Sequence, residues 1–236
     1  REKIKWFENR PLFGKRILIT RPMKQSQSLA STFSEYGAEA VTCPTISIQQ
    51  LDCEPLEQLL ISSTQIDLLM FTSSNAVGEF VRILEKLNID TRRFGSTRVC
   101  CVGSQTASSV FELLRIIPDY VPQKASIEGM IQEWNIDCAG EAIAILPCSL
   151  RSDDRLERFL SDKGFTVHRG NVYDSVDADK NRTMIDEIVD SQVDYITFSS
   201  SSAVTAFSTL CSIPRDLYID RSCAVCVGKE TAQTAI

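Results

Sequence analysis

Along the chain, short apolar runs alternate with longer stretches in which apolar residues recur at helical spacing. Residues 16–20 form an apolar run of strand length. Residues 24–36 place Leu29, Phe33 and Tyr36 on one helical face, with Gly37 as the glycine that ends the helix. Ala38–Ile46 reads as a second strand and Asp67–Thr72 as a third, followed by a Ser/Asn capping cluster and a helix through about Leu87. Arg98–Gly103 is a fourth strand, Gln105–Leu114 a helix and Tyr120–Pro122 a short strand. Ser126 opens a helix running to Trp134, with Glu128 close behind. Alternating strands and helices of this length predict parallel sheets covered by helices on both faces.

The pattern also repeats. Phe71-Thr-Ser-Ser-Asn-Ala-Val-Gly-Glu-Phe80 recurs as Phe198-Ser-Ser-Ser-Ser-Ala-Val-Thr-Ala-Phe207, an offset of 127. Cys101-Val-Gly-Ser-Gln-Thr-Ala107 recurs as Cys226-Val-Gly-Lys-Glu-Thr-Ala232, an offset of 125. Ile17–Pro22 matches Ile143–Cys148 more faintly at 126, and the helix end at Tyr36-Gly37 matches Lys163-Gly164 at 127. Blocks in one order at one offset mean two copies of one structural unit. The second copy begins near Gly140 and, on this period, would run to about residue 265. Within the 236 residues it lacks a counterpart of Leu113–Trp134. That leaves an expected uncovered sheet edge beside Thr231.

Composition narrows the function. The chain carries 25 Lys plus Arg against 31 Asp plus Glu, a net charge of −6, which argues against nucleic acid as partner. No apolar run approaches the ~20 residues of a membrane span, and residues 1–14 lack a signal-peptide core. His168 is the single histidine, so His-cluster metal sites and His-based triads are nearly excluded. Nine cysteines in a chain of this length without an export signal read as reduced core residues of a cytoplasmic protein. Cys43, Cys100, Cys101, Cys223 and Cys226 all sit in strand-like runs.

In open parallel sheets, ligands bind beyond the carboxyl ends of the strands. The repeated motifs fall there: Phe71–Ser74, Gly103–Thr106, Phe198–Ser202 and Gly228–Thr231. Small hydroxyl residues at a helix start are ordinary caps, but the same placement in both copies points to a shared polar cleft. Exposed N–H groups there suit carboxylates or phosphates. No G-x-G-x-x-G follows a strand, and Gly228-Lys229 lacks the P-loop's earlier glycine, since Cys223 stands in its place. The expected cofactor set is therefore none.

Lys15-Arg-Ile-Leu-Ile-Thr-Arg-Pro22, the paired FTSSNAV and FSSSSAV, the paired VGSQTA and VGKETA, and Val172-Tyr173 resemble uroporphyrinogen-III synthase, over about Gly14 to Ala232. The resemblance implies two similar flavodoxin-like parallel-sheet domains joined by a two-segment extended linker. One domain would hold residues 1–45 plus 172–236, with an incomplete C-terminal end, and the other 46–171. Pro44–Leu51 and His168–Val176 would be the paired linkers, with His168 a linker residue rather than a base. The implied activity is that of a cofactor-free lyase of tetrapyrrole (porphyrin, heme) biosynthesis, closing hydroxymethylbilane to uroporphyrinogen III with inversion of ring D. Loss of the ring A hydroxyl gives an azafulvene, and attack by the substituted carbon of ring D gives a spiro intermediate. Tyr173 matches the family's linker tyrosine and is the expected proton donor.

The implied substrate-binding set is Thr20, Arg21, Ser73, Ser74, Ser104, Thr106, Ser200, Ser201, Lys229 and Thr231, with Lys24 and Arg151 adding positive charge. Lys229 and Glu230 stand where the family commonly has small residues or proline. The expected partner is the small-molecule substrate, with no nucleic acid and no membrane, and the chain is expected to be monomeric. Trp6–Lys15 resembles the joint behind a fused uroporphyrinogen-III methyltransferase, so the chain, which begins with Arg1, is expected to be the synthase part of a longer polypeptide. The competing readings are a non-catalytic bilobed ligand-binding or sensory module and a two-domain α/β transferase.

Overall fold

In the computed structural model, which describes residues 5–63, 65–137, 142–218 and 220–236, the chain divides into two units. Unit 1 is Arg1–Ser47 with Val176–Ile236, and unit 2 is Ile48–Ser175. Unit 1 begins with α1 (Lys5–Glu8), β1 (Arg16–Ile19), α2 (Met23–Glu35) and β2 (Glu39–Thr42). The chain leaves it through β3 (Ile46–Gln50) and builds α3 (Glu54–Ser62), β4 (Leu68–Phe71), α4 (Ser74–Lys86), β5 (Arg98–Cys101) and α5 (Ser104–Leu114). There follow α6 (Ile127–Gln132), β6 (Ala142–Ser149), α7 (Arg155–Asp162) and the long β7 (Phe165–Asp177), which returns to unit 1. Unit 1 is completed by α8 (Arg182–Asp190), β8 (Tyr195–Phe198), α9 (Ser201–Leu210), β9 (Cys223–Cys226) and α10 (Lys229–Ala235).

The strand order is β2-β1-β8-β9 in unit 1 and β3-β7-β6-β4-β5 in unit 2. In unit 1, β1 pairs in parallel with β2 and β8, and β8 with β9. In unit 2, β4 pairs in parallel with β5 and β6, and β6 with β7. The sequence repeat aligns β1 with β6, β2 with β7, β8 with β4 and β9 with β5. Repeated strands therefore occupy the same places in the two sheets. With β3 as an added edge strand in unit 2, both orders read 2-1-3-4 in repeat numbering, the start of the flavodoxin-like 2-1-3-4-5 arrangement. Unit 2 reaches it by circular permutation.

Burial follows from periodicity. β4 is buried throughout; Leu69 and Phe71 join one core cluster, while Leu68 and Met70 join the cluster on the other face. Over the first face α4 lays Ala76, Val77, Phe80, Ile83 and Leu84, spaced as one stripe of a 3.6-residue helix. Unit 1 has its own core of Leu18, Ile185, Val189, Ile196, Phe198 and Phe207 with neighbours. No helix among the described residues is long and apolar enough to cross a membrane.

Several expectations change. Ala38–Ile46 is not one strand: β2 ends at Thr42 and β3 starts at Ile46. Pro44 lies between them and has no N–H for a ladder, so the bonding skips from Cys43 N on Ile19 O to Thr45 N on Thr20 O. His168, at the start of the expected extended linker His168–Val176, lies inside β7 opposite Ile145 of β6, so this part of the segment is also a strand of the unit 2 sheet. Tyr120–Pro122 shrinks to one bridge between Tyr120 and Cys100, because Pro118 and Pro122 flank it. Cys43, Cys53, Cys100, Cys101 and Cys148 are buried and free as expected, but Cys223 is exposed. Its strand β9 is the last in the sheet, and Cys223, Ala224 and Val225 all face solvent. Cys138 and Gly140 lie outside the described residues.

Candidate functional site

Each sheet ends, on its carboxyl side, in loops that start helices, and the candidate residues gather there. In unit 2 the best-organised group surrounds Tyr173. The phenol is 6% exposed and belongs to the unit 2 core. Its hydroxyl shares a 3.0 Å hydrogen bond with Ser73 Oγ. Burial raises its pKa above that of an ordinary phenol, while hydrogen bonds from Ser73 and Asn75 act in the opposite direction. An ordinary phenol is already protonated at neutral pH, and burial moves this one further from ionising.

Ser73 is placed by its role as the cap of α4. Its backbone is extended, and its Oγ accepts from Ala76 N at 3.2 Å. Such a cap is worth ~1 kcal/mol to the helix. Ser74 Oγ reaches across to Gln105 O at 3.3 Å and so ties the start of α4 to the start of α5. α5 is capped by Gly103, which offers no side-chain acceptor, and Ser104 at its first position is exposed. Thr106 at its third position is buried. A β-carbon at Gly103 would sit 3.3 Å from Ala125 Cβ, so the turn leaves little space for a capping side chain.

The loop after β6 completes this side. Leu150 N bonds Tyr173 O at 2.8 Å, and the β6–β7 register shifts between Cys148 and Ser149 so that Ser149 comes opposite Tyr173. Arg151 Nε meets Asp174 Oδ1 at 2.8 Å; the carboxylate is largely buried, and the guanidinium is exposed beside it. Arg169 donates to Ser149 O, Ser152 O and Asp153 O, stitching the same loop to β7 from its other end. The loop is thus anchored to β7 on both sides of Tyr173 in sequence, at Arg169 and at Asp174. Asn75, Asp174 and Arg169 had no assigned role in the sequence. The Asn75 signal was the one place where FTSSNA and FSSSSA differ by more than a hydroxyl residue, Asn75 against Ser202.

Unit 1 repeats the arrangement without a phenol. Ser200 caps α9 by accepting from Ala203 N at 3.3 Å, and its Oγ pairs with Ser202 Oγ at 2.9 Å. Ser201 opens α9, and Arg21 follows β1, with its Nε buried and without a hydrogen-bond partner. Lys229 is exposed at the start of α10, and Thr231 is buried at its third position behind the Gly228 cap, as Thr106 is behind Gly103. Lys24's side chain lies outside the described set. Thr20 departs from its expected role: its hydroxyl is fully buried and donates to Thr197 O at 2.7 Å. That bond ties β1 to β8 and leaves the side chain nothing to offer a ligand. Among the described residues no group of three or more His, Cys, Asp or Glu could hold a metal ion.

These features define a two-unit α/β protein with hydroxyl-rich helix starts at both sheet ends and a buried phenol at one. The family model described as uroporphyrinogen-III synthase HemD matches residues 27–236. The chain belongs to that family. It is 30% identical to the porphyrin biosynthesis protein HemD of Ruminiclostridium josui, over 99% of this chain and 46% of that protein. It is 27% identical to a putative uroporphyrinogen-III synthase of Methanothermobacter thermautotrophicus, over 80% of this chain and 74% of the relative. The chain thus spans about half the length of the first of these relatives. Among solved structures, a uroporphyrinogen III synthase of Thermus thermophilus superposes with a TM-score of 0.64 at 17% identity, covering 94% of this chain and 88% of that one. The Helicobacter pylori uroporphyrinogen-III synthetase gives 0.60 at 15% identity, with 93% and 86% covered. These likenesses establish the two-domain α/β fold.

Proposed function

We propose that the chain is a uroporphyrinogen-III synthase, a lyase that closes hydroxymethylbilane with inversion of ring D and loss of water. The observation that carries this reading is the buried, protonated Tyr173 held by Ser73 at the carboxyl end of the unit 2 sheet, in a chain of this family. The substrate's pyrroles are reactive already. The work left to the protein is to hold the chain so that the substituted ring D carbon attacks, a matter of orientation. It must also supply a proton to the departing hydroxyl, which Tyr173 would do.

The polycarboxylate substrate needs many donors. The helix starts at Ser74, Ser104 and Ser201, together with Thr106, Thr231, Arg21, Lys229 and Ser200, supply hydroxyl, backbone and cationic groups of that kind. We place no substrate contact on the Thr20 hydroxyl. We draw the domain division at 1–47 plus 176–236 and 48–175, not at 1–45 plus 172–236 and 46–171, because Tyr173 packs in the unit 2 core. We further read the chain as working in the cytoplasm as a monomer. We read it also as the synthase part of a polypeptide that includes a methyltransferase. Support for the last point is a 28% match over 45% of this chain to the uroporphyrinogen-III C-methyltransferase of Bacillus subtilis, together with the Trp6–Lys15 segment.

The test is a coupled assay in which porphobilinogen and its deaminase generate hydroxymethylbilane. Added protein should accelerate loss of the bilane and give the type III isomer. Consumption at the spontaneous rate would reject the proposal.

A further inference from the structure

The two repeats build the same helix start and then use it differently. In unit 1 the spare hydrogen bond of the cap, Ser200, is spent on its neighbour Ser202 at 2.9 Å. In unit 2 the spare bond of Ser73 goes to the Tyr173 phenol at 3.0 Å, and Asn75, at the place of Ser202, also bonds that phenol. The offset of 127 carries Tyr173 onto Ile46, so the other copy has no phenol at this place. Helix capping needs only one lone pair of Ser73, which Ala76 N occupies at 3.2 Å. The serine's own O–H is left over, and the phenolic oxygen is within its reach.

We propose that Ser73 and Asn75 are positioning residues for Tyr173: both donate to the phenolic oxygen, which turns the phenolic hydrogen away from the protein and toward the atom it protonates. The proposal rests on the synthase reading and names the groups that make its acid work. In the step concerned, the Tyr173 O–H bond breaks and its proton goes to the substrate's hydroxymethyl oxygen. The C–O bond then breaks and water leaves. The phenolate is held by the two donors until it recovers a proton from the ring D carbon that loses its hydrogen when the macrocycle closes. The hydrogen bonds strengthen as charge develops on the phenolic oxygen, so they lower the barrier more than they stabilise the resting protein.

Other groups near the phenol are fixed. Cys148 on β6 has its thiol pushed up to about 11 by burial. Asp174 is paired with Arg151 at 2.8 Å. Neither donates to the phenolic oxygen.

The experiment is an ultraviolet titration at the tyrosinate band on the folded protein, with Tyr173→Phe subtracted to isolate one phenol, alongside pH–rate profiles. Ser73→Ala should move the Tyr173 transition to higher pH and lower kcat roughly five- to tenfold, the loss of about one hydrogen bond, with KM little changed. Ser73→Asp keeps a good helix cap but sets a carboxylate against the phenol, so it should raise the transition further and lower kcat more. Ser73→Thr keeps cap and hydroxyl and should restore both. Ser126→Ala removes an equivalent cap at α6, where Ser126 Oγ accepts from Gly129 N at 3.0 Å, and should move neither.

A Tyr173 transition unmoved by both Ser73→Ala and Ser73→Asp would overturn the proposal. So would a kcat loss that Ser73→Thr fails to rescue. The titration needs no turnover. If the bilane is not consumed at all, the synthase reading fails, while the hydrogen bonds are still judged by the spectrum.

Discussion

Replacing Tyr173 with Phe separates chemistry from packing better than any other single change. The substitution keeps the aromatic ring, which lies in the unit 2 core at 6% exposure, and removes only the oxygen bonded to Ser73 at 3.0 Å. Ser73 keeps its bond from Ala76 N, so α4 stays capped. The stability cost is therefore the bonds to Ser73 and Asn75, about 1–2 kcal/mol net, which in a chain of this size lowers Tm by roughly 2–8 °C. The activity cost is of another size, because a positioned general acid contributes ~10²–10⁴-fold. We expect turnover of hydroxymethylbilane to fall at least ~100-fold while circular dichroism and urea unfolding change little. The coupled assay reads the turnover, and thermal melts read the fold. Turnover within twofold of the parent would refute the donor role and reduce Tyr173 to a packing residue.

Other expectations follow from single contacts. Gly129→Ala would set a β-carbon 2.0 Å from Lys124 O, so α6 must move away from Met130's buried seat; urea unfolding should show unit 2 weakened by about 2–3 kcal/mol. Asp194 accepts from Lys15 Nζ and from Arg16 N, each at 2.8 Å, and these bonds lower its pKa. A depressed carboxylate stabilises the fold above its unfolded pKa of ~3.9 and loses that contribution as pH falls through the lower folded value. Asp194→Asn should therefore destabilise unit 1 at neutral pH and converge with the parent only once the pH falls below the lowered folded value; a pH-independent difference would contradict the assignment. Among the described cysteines, Cys223 should react with a thiol reagent in the native state. Cys100 and Cys101, buried and with thiols pushed up to about 12, should react only on unfolding, as peptide mapping of the labelled sites would show.

The fold was legible because each copy of the repeat carried its own start and stop signals. Gly37 and Gly164 both take positive φ at helix ends, at 92° and 94°, as their placement in the pattern required. Ser73, Ser126 and Ser200 cap the helices they precede. The misread segments have tertiary or proline causes. Pro44 divided an apolar run that periodicity alone joins, and the length of β7 depends on β6 and β3 lying beside it.

The candidate site was legible by type and only partly by individual residue. Hydroxyl groups at helix starts announce themselves, but nothing local reveals that Thr20 spends its hydroxyl inside the sheet on Thr197 O. Nor does local sequence reveal that Ser73 faces Tyr173 across 100 residues. Both facts arise from strand order, which brings distant segments together at one sheet end.

We propose that this chain directs ring closure rather than merely binding a tetrapyrrole precursor. The most direct measurement is the isomer composition of the uroporphyrinogen formed from hydroxymethylbilane as the concentration of the chain is raised. The type III fraction should climb with protein until it displaces the type I isomer that forms spontaneously. A product that stays type I at every protein concentration would contradict it.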